Sequence, residues 1–90
     1  MSPTDAPTSR DEAARALVRA GLARIAPGPD LDALGDTADV RDALELDSLD
    51  FLAFVEHLSR TTGVRIDEDD YPRLRTVADA AAFLVAAGVR

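Results

Sequence analysis

Residues 46–58 read LDSLDFLAFVEHL, and this segment sets the architecture expected for the chain. Its apolar side chains recur at i, i+3, i+4 and i+7, the spacing of one helical face, at Phe51, Phe54, Val55 and Leu58. Asp47 or Ser48 is placed to cap the start of a helix, and Gly63 is placed to end it. The segment therefore predicts a helix over 49–62 whose apolar face enters the core.

The same helix carries a second apolar strip. Leu49, Leu52 and Ala53, continued by Glu56, lie on a neighbouring face close to the helix start. An ordinary surface helix has one apolar stripe, and a 90-residue bundle has little core in which to bury two. Apolar surface beside acidic residues is typical of a docking site. Two interpretations are open at this point: a docking face for a partner protein, or a central helix that the preceding loop covers.

A first helix and a long connection precede this segment. Residues 1–8 contain prolines and small polar residues, which favour a disordered lead. Ser9 followed by Glu12 is a capping-box pattern, so a helix is predicted to begin there and to end at Pro27. Residues 26–46 then form a connection long enough to contain a helical turn of its own. Its apolar residues are expected to pack inward, at Leu31, Leu34, Val40, Leu44 and Leu46.

Two further helices are predicted after Gly63. The acidic turn at 67–71, ended by Pro72, predicts a short helix, and Thr76 with Asp79 predicts the last one. No strand alternation of useful length occurs in the sequence. The fold class is therefore all-α: a small four-helix bundle over residues 9–90, with three main helices, a short third helix and a long loop after the first.

Composition and charge exclude several classes of function. The chain has no cysteine and one histidine, which excludes disulfide frameworks, zinc–thiolate sites, a cysteine nucleophile and multi-histidine metal sites. The net charge is −7, and residues 30–70 hold 13 acids against three arginines, a net −10. This charge repels nucleic acid and acidic membrane surfaces and favours a partner with a basic patch. Without a membrane-length apolar run or a signal peptide, we expect a cytoplasmic monomer.

Ser48 lies where the second main helix begins. The first turn of a helix offers free backbone N–H groups and the positive end of the helix dipole, so a phosphate carried there is favoured. Serine is also a common N-cap residue, so the position has a purely structural interpretation as well.

Three segments around and after Ser48 are distinctive together: 46–50 (LDSLD), 63–66 (GVRI) and 74–79 (LRTVAD). In this order they resemble the acyl carrier protein family, and the resemblance covers about residues 11–87. It implies that a phosphopantetheinyl transferase attaches 4′-phosphopantetheine to Ser48, and that the thiol of this arm holds acyl groups as thioesters. Partner enzymes would perform the catalysis, so the chain would be a carrier and not an enzyme. The missing cysteine agrees with a thiol that arrives on the cofactor.

The resemblance also implies roles for the neighbours of Ser48. Asp47 and Leu49 would flank the attachment site, with Asp47 orienting the transferase. The docking face, recognised by basic surfaces of the transferase and of acyl-processing enzymes, would include Asp50, Leu52 and Glu56. An acyl cavity beneath the helix would be bordered by Phe51, Phe54, Val55 and Leu58. The two phenylalanines either reshape this cavity or simply fill the core.

Several residues depart from the pattern of the familiar fatty-acid carriers. Glu45 stands where a glycine is common, and Ala53 with Glu56 exchanges the usual acidic and apolar characters over one turn. These departures favour an atypical, stand-alone carrier in a specialised biosynthetic pathway. The cargo stays open between fatty acyl, polyketide, and aminoacyl or peptidyl groups. The competing hypothesis is an unmodified acidic helical adaptor that binds a basic protein, with Ser48 serving only as a cap.

Overall fold

The computed structural model describes residues 9–89, and every regular element in that range is helical. The elements in chain order are α1 (Ser9–Ile25), α2 (Pro29–Asp32), α3 (Val40–Ala43), α4 (Ser48–Thr62), a 3₁₀ helix (Glu68–Leu74) and α5 (Val77–Ala86). The predicted all-α bundle of three main helices and a short third helix is thereby confirmed. The expected disordered lead over residues 1–8 and the predicted capping by the Ser9 side chain lie outside the described residues.

The core lies where α1, α4 and α5 meet. The largest fully buried side chains come from all three helices and their connections: Phe54, Leu22, Leu58, Leu74, Leu84, Val18, Val40 and Val77. Each buried side chain of this size stabilises the fold by about 1.5–3 kcal/mol relative to exposure. The i, i+3, i+4, i+7 spacing on α4 therefore corresponds to the face that enters this core.

Gly21 allows α1 and α4 to approach closely. A Cβ atom at Gly21 would lie 3.1 Å from Cδ2 of His57 and 3.4 Å from the Phe54 ring. Leu17, one turn earlier on α1, shares a surface groove with residues 61–65 at the far end of α4. The two helices are therefore antiparallel, and the first turn of α1 lies at the end of the bundle away from Ser48.

The long connection packs against the bundle, as its apolar residues predict. All five predicted anchors are buried: Leu31, Leu34, Val40, Leu44 and Leu46. The connection also contains the helical turns α2 and α3, in line with the expectation for a loop of this length. It is therefore an ordered part of the core and not a loose linker.

Polar contacts join the connection to α1 and to the start of α5. The Asp36 carboxylate lies 3.1 Å from an Arg15 nitrogen and 2.6 Å from an Arg19 nitrogen. The Arg75 guanidinium donates to the Asp39 carboxylate at 2.7 and 3.0 Å. Backbone hydrogen bonds add to these contacts: Val40 N–H donates to the carbonyl of Arg75, and Ala78 N–H donates to that of Asp36. The connection is thus held on the α1 and α5 side of the molecule.

Two predicted helix boundaries differ from the structure. Pro72 was expected to end the short helix, but the 3₁₀ helix continues through it to Leu74. The fixed φ of proline, near −65°, suits a 3₁₀ helix, and this explains the difference. The second main helix begins at Ser48, one residue earlier than predicted.

A search of the helices in residues 9–89 finds none with the length and apolar character that a membrane span requires.

Candidate functional site

Asp47, and not Ser48, caps the N-terminus of α4. The Asp47 carboxylate accepts a hydrogen bond from the Asp50 N–H at 2.8 Å, and the Asp50 carboxylate accepts a longer one, 3.5 Å, from the Asp47 N–H. This reciprocal arrangement is a capping box. The interpretation of Ser48 as the cap is therefore wrong, and Ser48 is the first residue inside the helix.

Ser48 is exposed on the first turn of α4. The Phe51 N–H donates to the Asp47 carbonyl at 2.9 Å, which begins the i→i−4 ladder. The N–H groups of Ser48 and Leu49 precede this ladder and lie at the positive end of the helix dipole. A phosphate ester on the Ser48 oxygen would meet both features, so this end of α4 fits the phosphate of a phosphopantetheine group.

The two apolar faces of α4 differ in burial. The predicted core face is buried throughout: Phe51, Phe54, Val55 and Leu58. The second strip, predicted on a neighbouring face, lies nearly opposite the core face at about 3.6 residues per turn. On it Leu49 is 76% exposed and Leu52 is 40% exposed, and Ala53 and Glu56 are exposed as well. The preceding loop does not cover this strip, so the interpretation of α4 as a helix covered by that loop is wrong.

Acidic residues flank the exposed strip along the chain. Exposed carboxylates within four residues of its leucines are those of Glu45, Asp47 and Glu56. Asp50 is half-buried, and its carboxylate accepts the longer hydrogen bond of the capping box. These acids do not assemble a metal site: residues 9–89 contain no group of three or more His, Cys, Asp or Glu side chains that could hold a metal ion. The surface next to Ser48 is therefore apolar at its centre and negatively charged at its edge.

Glu45 has a left-handed backbone, with φ +54°, and is the one non-glycine residue in residues 9–89 with positive φ. It follows Leu44, the C-cap residue of α3. The Leu46 N–H donates to the Arg41 carbonyl at 2.9 Å and the Glu45 N–H to the Asp42 carbonyl at 3.4 Å, the two bonds of a Schellman motif. Glycine usually occupies this position, and a side chain there costs about 1 kcal/mol. The sequence held one signal for this strain, a glutamate where the familiar carriers commonly have a glycine, but α3 is too short for helical periodicity to predict the turn itself.

The side chains predicted to border an acyl cavity are packed together. The Phe51 ring centroid lies 6.0 Å from that of Phe54 and 5.6 Å, edge to face, from that of Tyr71. A groove of about 280 Å³ opens beside Phe51, and the Arg41 guanidinium lies over the Phe51 ring, 5.4 Å from its centroid. Sequence reasoning missed Arg41 and Tyr71 here, because α3 and the 3₁₀ helix meet α4 only in the folded chain. A larger groove, about 730 Å³, lies at the opposite end of α4, away from Ser48.

Comparison with known proteins agrees with this geometry. A family model described as a phosphopantetheine attachment site matches residues 16–84, which run from α1 into α5. Two relatives, both acyl carrier proteins of Brachyspira hyodysenteriae and one of them from strain ATCC 49526 / WA1, are each 33% identical over 55 residues. Those residues cover 61% of this chain and 70% of each relative. No solved structure matches the chain significantly. The chain therefore belongs to the acyl carrier protein family, whose members are phosphopantetheine-bearing carriers and not enzymes.

Proposed function

We propose that the chain holds acyl groups as thioesters on a 4′-phosphopantetheine arm attached to Ser48. The observation that carries this proposal is the position of Ser48, exposed on the first turn of a helix that a different residue caps. When bound, the arm supplies the thiol that the chain itself lacks. In the modifying reaction the Ser48 oxygen loses its proton and bonds to phosphorus, while the P–O bond to the nucleotide part of coenzyme A breaks.

Asp47 serves the site in two ways. Its carboxylate caps α4, which holds Ser48 on the first helical turn. It is also exposed and adjacent to the serine, a position that suits contact with the transferase. Leu49, on the other side of Ser48, contributes the most exposed large apolar side chain of the described chain.

The exposed strip of α4 is the proposed docking face for partner enzymes. Leu49 and Leu52 form its apolar part and Glu56 supplies an acidic edge, with Asp50 contributing less because it is engaged in the cap. A basic partner surface with an apolar recess complements this pattern, and the opposite charges would speed the encounter. The partners on this proposal are the transferase and acyl-processing enzymes, which a cytoplasmic, monomeric carrier meets in turn.

The cargo belongs to a specialised pathway on this proposal. Ala53 and Glu56, where the acidic and apolar characters are exchanged relative to the fatty-acid carriers, are both exposed and so lie where a partner would contact them. Fatty acyl and polyketide cargo remain the leading classes, with aminoacyl or peptidyl cargo as the alternative.

Phe51 and Phe54 are proposed to limit how far an acyl chain enters the bundle. Their rings fill the space beneath α4, and the groove beside Phe51 is small, about 280 Å³. Samples loaded with acyl groups of increasing length should show chemical-shift changes at Phe51 that stop growing beyond a short chain. Phe51 resonances that do not change at any chain length would contradict the proposal. The ring of Phe83 on α5 provides the reference resonances.

Intact-mass measurement tests the attachment site. After incubation with coenzyme A and a broad-specificity transferase, the wild-type chain should gain the mass of one phosphopantetheine group. Ser48→Ala should gain none, whereas Thr61→Ala, which removes an exposed hydroxyl near the other end of α4, should be modified like the wild type. An unmodified wild type would favour the acidic adaptor, and a modified Ser48→Ala would place the group elsewhere.

A further inference from the structure

Glu45 occupies a backbone position that favours glycine. It lies in the left-handed region, at the residue that closes the Schellman motif after α3. Its neighbours Leu44 and Leu46 are both buried, so the turn is held in place from either side. A glycine at this position would adopt the same turn without the steric cost of a side chain.

The Glu45 side chain makes no compensating contact within residues 9–89. It is exposed, and its carboxylate takes part in none of the hydrogen bonds or ion pairs of that range; the neighbouring acids Asp39, Asp47 and Asp50 are all engaged in caps. The strain at Glu45 is therefore not offset by an interaction inside the described bundle. Its charge is directed to the solvent, where an external partner can meet it.

Glu45 lies close to Ser48, the proposed attachment site. Glu45 is three residues before Ser48, so their Cα atoms are at most about 11 Å apart. It lies on the loop side of the serine, whereas Glu56 lies two turns along α4. Between them is Leu49, which is 76% exposed and lies one turn before Leu52, which is 40% exposed. Together the two leucines form an exposed apolar patch of the kind that partner proteins cover.

We propose that Glu45 is a specificity-determining residue for basic partner proteins that approach Ser48 from the loop side. This role rests on the proposed function and extends the docking face beyond α4. The partner surface would carry cationic groups on both sides of the recess that receives Leu49. Because Glu45 is at the edge of the contact, its charge would act mainly on association and would be screened by salt.

Two substitutions separate the charge of Glu45 from its backbone strain. Glu45→Gln removes the charge and keeps a side chain in the left-handed turn, whereas Glu45→Gly removes both. Glu12→Gln is the matched control: Glu12 is exposed and lies on the first turn of α1, at the end of the bundle away from Ser48. All three variants lose one negative charge.

The measurement is kcat/KM for modification of each variant by a broad-specificity transferase, at low and at high salt. Both Glu45 variants should lower kcat/KM roughly two- to fivefold at low salt, the range for one exposed ion pair, and should approach the wild type at high salt. Glu12→Gln should match the wild type throughout. In thermal unfolding, Glu45→Gly should have a higher Tm than the wild type, while Glu45→Gln should not.

Several results would overturn the inference. These are wild-type kcat/KM for Glu45→Gln at low salt, a loss in only one of the two Glu45 variants, an equal loss in Glu12→Gln, or a loss that persists undiminished at high salt. An unmodified wild type is a different result, since it would reject the proposed function itself.

Discussion

Two neighbouring residues perform two different tasks at the start of α4. Asp47 caps the helix, and Ser48 carries the hydroxyl proposed as the attachment point. A serine at the N-cap would use its hydroxyl oxygen to accept a backbone N–H of the first turn. Here the Asp47 carboxylate accepts that bond from Asp50, and Ser48 moves one position into the helix. Its hydroxyl is therefore available for covalent chemistry while the helix keeps its cap.

Removal of the Asp47 cap should destabilise the chain. Asp47→Ala should lower the free energy of unfolding by about 1 kcal/mol, because the Asp50 N–H loses its acceptor. Asp47→Asn should stay close to the wild type, since an asparagine oxygen caps about as well. Urea denaturation of the three proteins measures the difference. Equal stability of all three would show that the cap does not contribute.

At the level of the element, α4 combines a structural face with a face left for other molecules. Phe54 is fully buried and packs near Gly21 of α1, whereas Leu52, nearly opposite on the same helix, is 40% exposed. The hydrophobic effect scales with the apolar area removed from water, so these two faces contribute very differently to stability. Residues that stabilise the bundle and residues proposed to bind partners thus lie on nearly opposite sides of one helix, because about 3.6 residues per turn place Leu52 roughly 160° from Phe54.

Alanine substitutions on the two faces should separate stability from modification. Phe54→Ala should lower the free energy of unfolding by about 3–5 kcal/mol, the usual cost of deleting a buried phenylalanine ring. Leu52→Ala should lower it by less than about 1 kcal/mol. The same Leu52 variant should be modified more slowly by the transferase. A Leu52→Ala protein that loses as much stability as Phe54→Ala would show that Leu52 belongs to the core.

At the scale of the whole molecule, two aspartates fix the long connection to the helices around it. Asp36 pairs with Arg15 and Arg19 on α1, and Asp39 pairs with Arg75 just before α5. The hydrogen bond from the Arg75 guanidinium, assisted by the backbone N–H groups of Asp42 and Arg41, lowers the pKa of Asp39 below its ordinary value. The ion pair that holds the connection to the start of α5 therefore depends on the ionisation of Asp39.

Protonation of Asp39 in acid should lower the free energy of unfolding. The unfolded chain binds a proton at Asp39 near pH 3.9, whereas the folded chain binds it only at lower pH, so the contribution of Asp39 is complete above that value. As the pH falls below about 3.9 and through the folded pKa, the contribution is lost. Asp39→Asn keeps an acceptor for the α3 cap but lacks the charge, so it should be less stable than the wild type at neutral pH.

Denaturation of wild type and Asp39→Asn across pH checks this expectation. The difference between the two free energies of unfolding should shrink toward zero as the pH is lowered below about 3.9. Asp30→Asn, a substitution of an exposed aspartate on α2, serves as the control and should not reproduce the effect. A difference between wild type and Asp39→Asn that is independent of pH would contradict this dependence on the ionisation of Asp39.

Local interactions decide most of what could be read from the residues alone. Helical spacing identified the core face of α4, capping patterns located α4 and α5, and the segment around Ser48 led to the family. These features depend on neighbours within about four residues, which the sequence lists directly. The expected boundary at Pro72 was wrong, because proline is compatible with the 3₁₀ geometry that packing selects there.

Contacts between distant residues decide the rest. The exposure of Leu49 and Leu52 follows from a connection that packs on α1 and α5 and meets α4 at Phe51, without covering the two leucines. The left-handed turn at Glu45 exists because α3 forms when Val40 and Leu44 are buried against the bundle. Burial of this kind depends on the whole set of packed surfaces. Only the tertiary structure therefore shows that the strained, exposed Glu45 lies before Ser48 and that the exposed leucines lie after it.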